Sequence, residues 1–179
     1  MTIAKRLTLM IAAAAAALML LAGINHHQMA RVYEATNFNS VNVVPSILAL
    51  NKAIVAFGSV RVRVYRHVLA TDAKAMAEAD AQIQEARSRI DEALKAYEPL
   101  VINAEDKRLL EDERAALAEY NRGVDHAIDL SRQGKKEEIK ESLKMSAQQA
   151  VRLNEALVAH MKFNDDLGQK SAAEGAAAK

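Results

Sequence analysis

Mostly apolar residues recur at intervals of seven or fourteen positions in four successive segments of the chain, and each row has a second row three or four positions away. This a-and-d pattern predicts helices that bury one face in a bundle. The rows are Ile47, Ile54, Arg61, Val68 with Leu50, Phe57, Val64; Met76, Ile83, Ile90, Tyr97 with Ala79, Ala86, Ala93; Leu110, Leu117, Val124 with Tyr120, Ala127; and Ile139, Leu153, Leu167 with Leu143, Ala150, Leu157.

Helix-ending residues separate the four segments. Asp72 and Asn103 are predicted N-caps, Pro99 ends the second helix, and Gly134 suits the residue after the third. We therefore expect helices at about 25–70, 73–98, 104–133 and 135–175, with a kink or interruption of the first at Pro45. The short connections predict an all-α, antiparallel up-down-up-down four-helix bundle.

The N-terminal segment predicts a membrane anchor. Lys5 and Arg6 precede an uncharged run over 7–24, which at about 1.5 Å per residue nearly spans a bilayer core of about 30 Å. The basic pair predicts a cytoplasmic N-terminus over 1–6 and a transmembrane helix continuous with the first bundle helix. A cleaved signal peptide is the alternative, but the run is longer than usual and Leu21-Ala22-Gly23 is a poor cleavage site.

The C-terminal tail over 171–179 has no core pattern. It stops where a helix returning to the membrane is expected, so we expect the sensory bundle over 25–179 to be truncated before a second membrane span. The alternative is a complete anchored bundle with a frayed end.

Composition removes several classes of function. Net charge is +1, so no nucleic-acid-binding surface is indicated, and the absence of cysteine excludes disulfides and thiolate sites. No Glu-x-x-His, His-Glu-x-x-His or glycine-rich phosphate motif occurs, so we predict no enzyme, no cofactor and no metal. Haem bound by His160 is the alternative, but His160 lies in the fourth seam, where a hydrogen-bonded core histidine is expected.

Arg61 interrupts the seam of the first helix. A buried charge needs a partner, and in an antiparallel bundle Ser146 and Gln149 of the fourth helix lie opposite. A hydroxyl and an amide beside an arginine can bind a carboxylate. The alternative is that Arg61 pairs with an acidic neighbour such as Asp80 or Asp125.

Arg66 and Tyr65 complete the candidate site. Arg66 lies about 140° round the helix from Arg61 and is expected to contact ligand, a second copy of the chain, or solvent. Tyr65 is expected in the core or in the pocket wall. The predicted ligand-binding residues are thus Arg61, Tyr65, Arg66, Ser146 and Gln149.

Several short motifs resemble one family. They are Val44-Pro45-Ser46-Ile47, Tyr65-Arg66-His67-Val68-Leu69-Ala70-Thr71-Asp72, Tyr97-Glu98 and Leu130-Ser131-Arg132-Gln133-Gly134-Lys135. With the basic N-terminus and anchor, the sequence resembles the periplasmic four-helix-bundle sensory domain of methyl-accepting chemotaxis proteins. Similar bundles occur on sensor histidine kinases and cyclases.

The resemblance implies a homodimer through the first helix, in a bacterial inner membrane, with the bundle in the periplasm. It implies that first-helix arginines of both subunits bind a carboxylate with help from the fourth helix, and Arg61 and Arg66 match two of them by their spacing. Ala70 stands where the amino-acid receptors have a third, which departs from aspartate binding. We expect a chemoreceptor domain for a small organic acid or amino acid; the alternatives are the input domain of a sensor histidine kinase and a ligand-free bundle that receives a periplasmic protein.

Overall fold

The computed structural model describes residues 3–177, which fall into two units, 42–166 and 3–41 with 167–177. The elements are α1 (Ile3–Phe38), a π-helical turn (Asn39–Val43), α2 (Val44–Leu69), α3 (Ala73–Tyr97), a 3₁₀ turn (Glu98–Leu100), α4 (Ala104–Arg132) and α5 (Lys136–Ala176). No strand occurs among the described residues. The expectations for the first two and last two residues of the chain lie outside this range.

The unit over 42–166 is an antiparallel four-helix bundle, as predicted. The start of α2 meets the end of α3 where Asn42 donates to the carbonyl of Leu100 (2.7 Å). α4 and α5 are also antiparallel: Asp106, near the N-terminus of α4, contacts His160, in the C-terminal half of α5, at 2.7 Å. Between α3 and α4, Arg132 reaches back to Asp80 at 2.8 Å. The predicted all-α fold class is therefore confirmed.

The core follows the predicted seams in α3, α4 and α5 but not entirely in α2. In α2 one predicted row is buried: Leu50, Phe57 and Val64. The other buried row begins one residue earlier than predicted and consists of Ser46, Ala53, Val60 and His67. The row predicted there is half-buried or exposed: Ile47, Ile54, Arg61 and Val68. The placement of Arg61 in the core was therefore wrong.

The helix ends form for the predicted reasons. The side chain of Asp72 accepts from the amide of Ala75 (2.9 Å), and that of Asn103 accepts from the amide of Asp106 (2.9 Å). Gly134 has φ of 71°, a left-handed conformation that costs other residues about 1–2 kcal/mol.

Pro45 does not interrupt the first helix. Helical residues run without a break from Ile3 to Leu69, which confirms a long apolar N-terminal helix continuous with the first bundle helix. The change of backbone occurs just before the proline, in the π-helical turn Asn39–Val43. Because proline lacks an N–H and its ring clashes with the preceding turn, a wider turn at this point accommodates it within the helix.

The second unit contains α1 and the end of α5. An eighteen-residue window within the N-terminal helix has mean hydropathy 2.4 and is unburied, so by length and composition it could cross a membrane. Within this unit Ser171 donates to the carbonyl of Ala35 (3.2 Å) and Asn39 donates to that of Gly168 (3.4 Å). These bonds join the C-terminal part of α1 and the first residue of the π-helical turn to the C-terminal part of α5.

Candidate functional site

The five predicted ligand-binding residues lie in two environments. Arg61, Tyr65 and Arg66 are exposed on α2, whereas Ser146 is buried and Gln149 half-buried on α5. Arg61, Tyr65 and Ser146 line one small cavity, and neither Arg66 nor Gln149 is part of its lining. The bundle thus brings three of the five together.

Arg61 has an aromatic neighbour. Its guanidinium lies 5.9 Å from the centre of the Phe57 ring, a cation–π contact at an exposed site. The two carboxylates that sequence reasoning offered as partners are paired elsewhere: Asp80 with Arg132 and Asp125 with Arg87, each at 2.8 Å. Among the described residues no carboxylate forms an ion pair with Arg61, so its charge is free to face solvent or a ligand.

Ser146 and Gln149 lie against the one glycine in the middle of α4. A Cβ on Gly123 would overlap the side-chain oxygen of Gln149 and lie 3.0 Å from Ser146 Oγ, so glycine permits this close approach. Both oxygens are buried, and within the described chain neither has a hydrogen-bond partner. Burying unpaired polar atoms is unfavourable, so these two atoms are available to a further polar group.

The small cavity limits what can enter a single bundle. Its volume is about 20 Å³, and a water molecule needs at least about 10–15 Å³. It therefore has room for a water and not for an organic acid. The same environment raises the pKa of Tyr120, which lines this cavity, to about 12, because burial disfavours its phenolate.

The outer face of α2 carries a second apolar pattern. Leu48, Val55, Val62 and Leu69 are exposed and follow one another at seven-residue intervals, with Val44 and Tyr65 in the companion row. Asn51 and Gly58 occupy the two companion positions between them. In heptad terms the exposed row is a and the companion row d, so Arg61 falls at g and Arg66 at e. Positions e and g flank the seam of a coiled coil.

A groove borders this face between α2 and α3. It has a volume of about 660 Å³ and is lined largely by apolar side chains, with Lys52, Arg89 and Glu92 as its charged groups. Leu48 and Val55 belong both to this groove and to the exposed row. None of the predicted ligand-binding residues lines it.

A second constellation, buried between α3, α4 and α5, was missed by sequence reasoning. Asp106 accepts from the Tyr97 hydroxyl (2.6 Å) and the Ile102 amide (3.0 Å), and it contacts His160 Nε2 at 2.7 Å. The other ring nitrogen of His160 lies 3.0 Å from Glu113. His160 is therefore a core histidine held by polar contacts, as expected from its seam position.

The sequence carried a signal for this cluster. Asp106 and Glu113 precede Tyr120 and Ala127 at seven-residue intervals, so they continue the second row of the third seam towards its N-terminus. Carboxylates at seam positions are expected to be buried and paired. Extending the row by two steps would have found them.

Burial and charge shift the pKa values in this cluster. Burial raises the pKa of Glu113 above its ordinary value. Burial opposes the charge on His160, but its polar contacts with Glu113 and Asp106 and their negative charges outweigh this and raise its pKa. Burial, with the hydrogen bond to Asp106, also raises the pKa of Tyr97.

His67 lies at the opposite end of the bundle, and its pKa is shifted in the opposite direction from that of His160. It is fully buried, and its Nε2 lies 3.4 Å from Asp80. Burial lowers the pKa of His67 despite the attraction of Asp80, and the nearby charge of Arg132 lowers it further.

One protein-family model, described as a four helix bundle sensory module for signal transduction, matches residues 1–178. The match covers nearly the whole chain and confirms the resemblance found in its motifs. No curated protein and no solved structure matches the chain.

Proposed function

The chain belongs to the family of four-helix bundle sensory modules for signal transduction, and we propose from this premise that it binds a small organic acid or amino acid between two copies. Modules of this family are not themselves catalytic. In this proposal the chain is the sensory domain of a chemoreceptor in a bacterial inner membrane, with the bundle in the periplasm. The observation that carries the proposal is the exposed apolar seam of α2 flanked by Arg61 and Arg66.

The exposed seam supports pairing with a second copy. Val62 is 53% exposed and Leu69 77%, and such side chains repeated at heptad spacing would be buried by an identical helix. The groove beside Leu48 and Val55 extends the apolar surface available to the partner. A symmetric dimer through α2 therefore buries apolar area that a single copy leaves in water.

Heptad geometry relates the two arginines in such a dimer. In a parallel pair of helices, a g residue of one copy faces the e residue five positions further on in the other. Arg61 would therefore face Arg66 of the second copy, and the same pair would form again by symmetry. Like charges at these positions repel, so an anion between them is favoured, and carboxylates suit guanidinium geometry.

Tyr65 and Ser146 line the cavity that lies between Arg61 on α2 and the facing part of α5. Tyr65, 49% exposed, lines the small cavity together with Arg61, and Ser146 lies on the α5 side of that cavity. A ligand carboxylate that reaches Ser146 or Gln149 must enlarge this space by moving α5 relative to α2. A small displacement of this kind is an established form of switching, and it shifts the equilibrium only by the difference in affinity between the two packings.

Thermal unfolding of the full chain in detergent, with a panel of organic acids and amino acids, tests the ligand. At 100 times its Kd a ligand adds about 2.7 kcal/mol to the free energy of unfolding. We expect one or more acids to raise the Tm of the wild type and of Arg122→Ala, an exposed arginine of α4 that serves as control. Arg61→Ala and Arg66→Ala should abolish the rise.

The outcomes separate the candidate functions. A rise that survives Arg61→Ala would contradict the arginine site. If no acid raises the Tm of the wild type, direct sensing of small acids is wrong, and the alternative of a bundle that receives a periplasmic protein gains support. The sensor-kinase alternative uses the same bundle and is distinguished by the output domain to which it is joined.

A further inference from the structure

The cluster of Asp106, Glu113 and His160 is separate from the proposed ligand face. All three residues are fully buried, and they lie on α4 and α5, whereas the arginines lie on the exposed side of α2. Nothing in the proposed binding of organic acids uses them. Their arrangement places two carboxylates of α4 on opposite nitrogens of one imidazole of α5.

The distances require a proton between His160 Nδ1 and Glu113, in addition to the one that a neutral imidazole can donate to Asp106. A neutral imidazole can donate from only one nitrogen, but His160 has a carboxylate oxygen at 2.7 Å from Nε2 and another at 3.0 Å from Nδ1. Either a doubly protonated ring or a protonated Glu113 beside a neutral ring supplies this proton. Both oxygens of Glu113 and Nδ1 of His160 are buried, and in the described part of the chain none of these three atoms has a hydrogen-bond partner, so the Nδ1 side of the ring is where a proton can be gained or lost.

Other groups around the cluster supply little compensating charge. From α2 the neighbour is the neutral Ser46, from α3 the Tyr97 hydroxyl, and from α5 the neutral Asn164, which donates to that hydroxyl (2.7 Å). From α4 comes the charge of Arg114, which is exposed and paired with Glu98. In the described chain a proton held between His160 and Glu113 is thus what offsets the negative charge of the two carboxylates.

We propose that Asp106, Glu113 and His160 form a proton-binding site that couples external pH to the packing of α5 against α4. With the proton on His160, the cluster holds one imidazolium between two carboxylates. When the proton leaves, two buried carboxylates face a neutral ring, and uncompensated buried charge is strongly unfavourable. The histidine is on one helix and both carboxylates are on the other, so this change weakens the contact between α4 and α5.

The direction of the effect follows from the pKa shifts. Folding raises the pKa of both His160 and Glu113. At pH values above the ordinary pKa of each group, the folded chain therefore binds more protons than the unfolded chain. The stability due to Glu113 is complete below about pH 4.5, and that due to His160 below about pH 6.5. Each contribution is lost as pH rises through the raised pKa, so alkaline conditions loosen α5.

Unfolding as a function of pH tests the site in the full chain in detergent, without organic acids. We expect the Tm of the wild type to fall by several degrees between about pH 6 and about pH 9. Glu113→Gln, which keeps the shape of the side chain, should flatten this dependence. His126→Gln, at an exposed histidine of α4, should keep the wild-type slope.

A direct measurement of helix packing distinguishes proton sensing from a purely structural cluster. The chain has no cysteine, so a double variant with Glu111→Cys on α4 and Val158→Cys on α5 carries one spin label on each helix. Both positions are exposed. We expect the distance between the labels to change with pH in the wild-type background and to stay constant with Glu113→Gln. A constant distance in the wild-type background, or a Tm slope unchanged by Glu113→Gln, overturns the proposal and leaves the organic-acid site untouched.

Discussion

The side of α2 that faces the core can be tested by one substitution made at two positions. Val60 is 0% exposed and Val62 is 53% exposed, on the same helix and two residues apart. Val60→Ala and Val62→Ala change the same atoms and bring the same gain in helix propensity. Any difference between them therefore reports burial.

The expected magnitudes follow from that burial. Removing two carbons from the core at Val60 costs about 1.6 kcal/mol at about 0.8 kcal/mol each, and a residual cavity adds up to about 1 kcal/mol. Alanine returns about 0.5 kcal/mol through its helix propensity. The net loss for Val60→Ala is about 1–2 kcal/mol, or roughly 2–8 °C in Tm. Val62→Ala keeps the propensity gain and loses little burial in a single copy, so its stability should be unchanged or slightly higher.

The assay is thermal and urea unfolding of the full chain in detergent, followed by far-ultraviolet circular dichroism. Protein concentration is kept low enough that sedimentation shows single copies, because pairing through α2 would bury Val62. Equal losses for the two variants would refute the assigned face. A larger loss of unfolding free energy for Val62→Ala than for Val60→Ala would mean that the buried rows of α2 are shifted by one or two residues. Arg61 would then face the core.

Three further results are expected. Val62→Asp should leave the folded bundle intact but reduce dimerisation of the full chain in sedimentation experiments, because a charge then replaces an apolar a position; unchanged dimerisation would exclude this seam. Tyr97→Phe should lower the free energy of unfolding by about 1–3 kcal/mol, since the lost hydroxyl donates to Asp106 and accepts from Asn164; a neutral result in urea unfolding would mean that the hydroxyl is dispensable. His67 should contribute stability that is lost as pH falls below about 6.5, since its pKa is lowered in the folded chain; His67→Gln should therefore remove a decline of Tm in acid, and a variant that keeps this decline would contradict the assignment.

The sequence predicted the helices and three of the four seams because the apolar residues of those helices concentrate on the core face, although α5 also exposes Met145, Val151 and Val158. α2 is different, since it carries Leu50 and Val60 on its inner face and Val55 and Val62 on its outer face. Two overlapping heptad rows cannot be assigned to core or surface from spacing alone. The choice depends on tertiary packing, which placed Arg61 outside.

The second difference from the predicted core concerns polar residues at seam positions of the third helix. Asp106 and Glu113 fit the spacing of the third helix but were not included in its predicted rows, and carboxylates are rarely fully buried. Their burial depends on His160, which is far away in sequence. The candidate ligand residues are only partly assembled in one copy for a related reason: Arg66 lies about 140° round α2 from Arg61 and does not line the cavity. In the proposed dimer a second copy completes the site.

The bond between Tyr97 and Asp106 has a consequence for the order of folding. The two residues are nine positions apart and lie on either side of the short connection between α3 and α4, so this contact closes a small loop. The contact between Asp106 and His160 spans 54 positions and needs α5 in place. We therefore expect the α3–α4 hairpin to form early and α5 to dock late, bringing His160 to a carboxylate already held in position. In kinetic experiments Tyr97→Phe would then mainly slow folding, whereas His160→Gln would mainly speed unfolding.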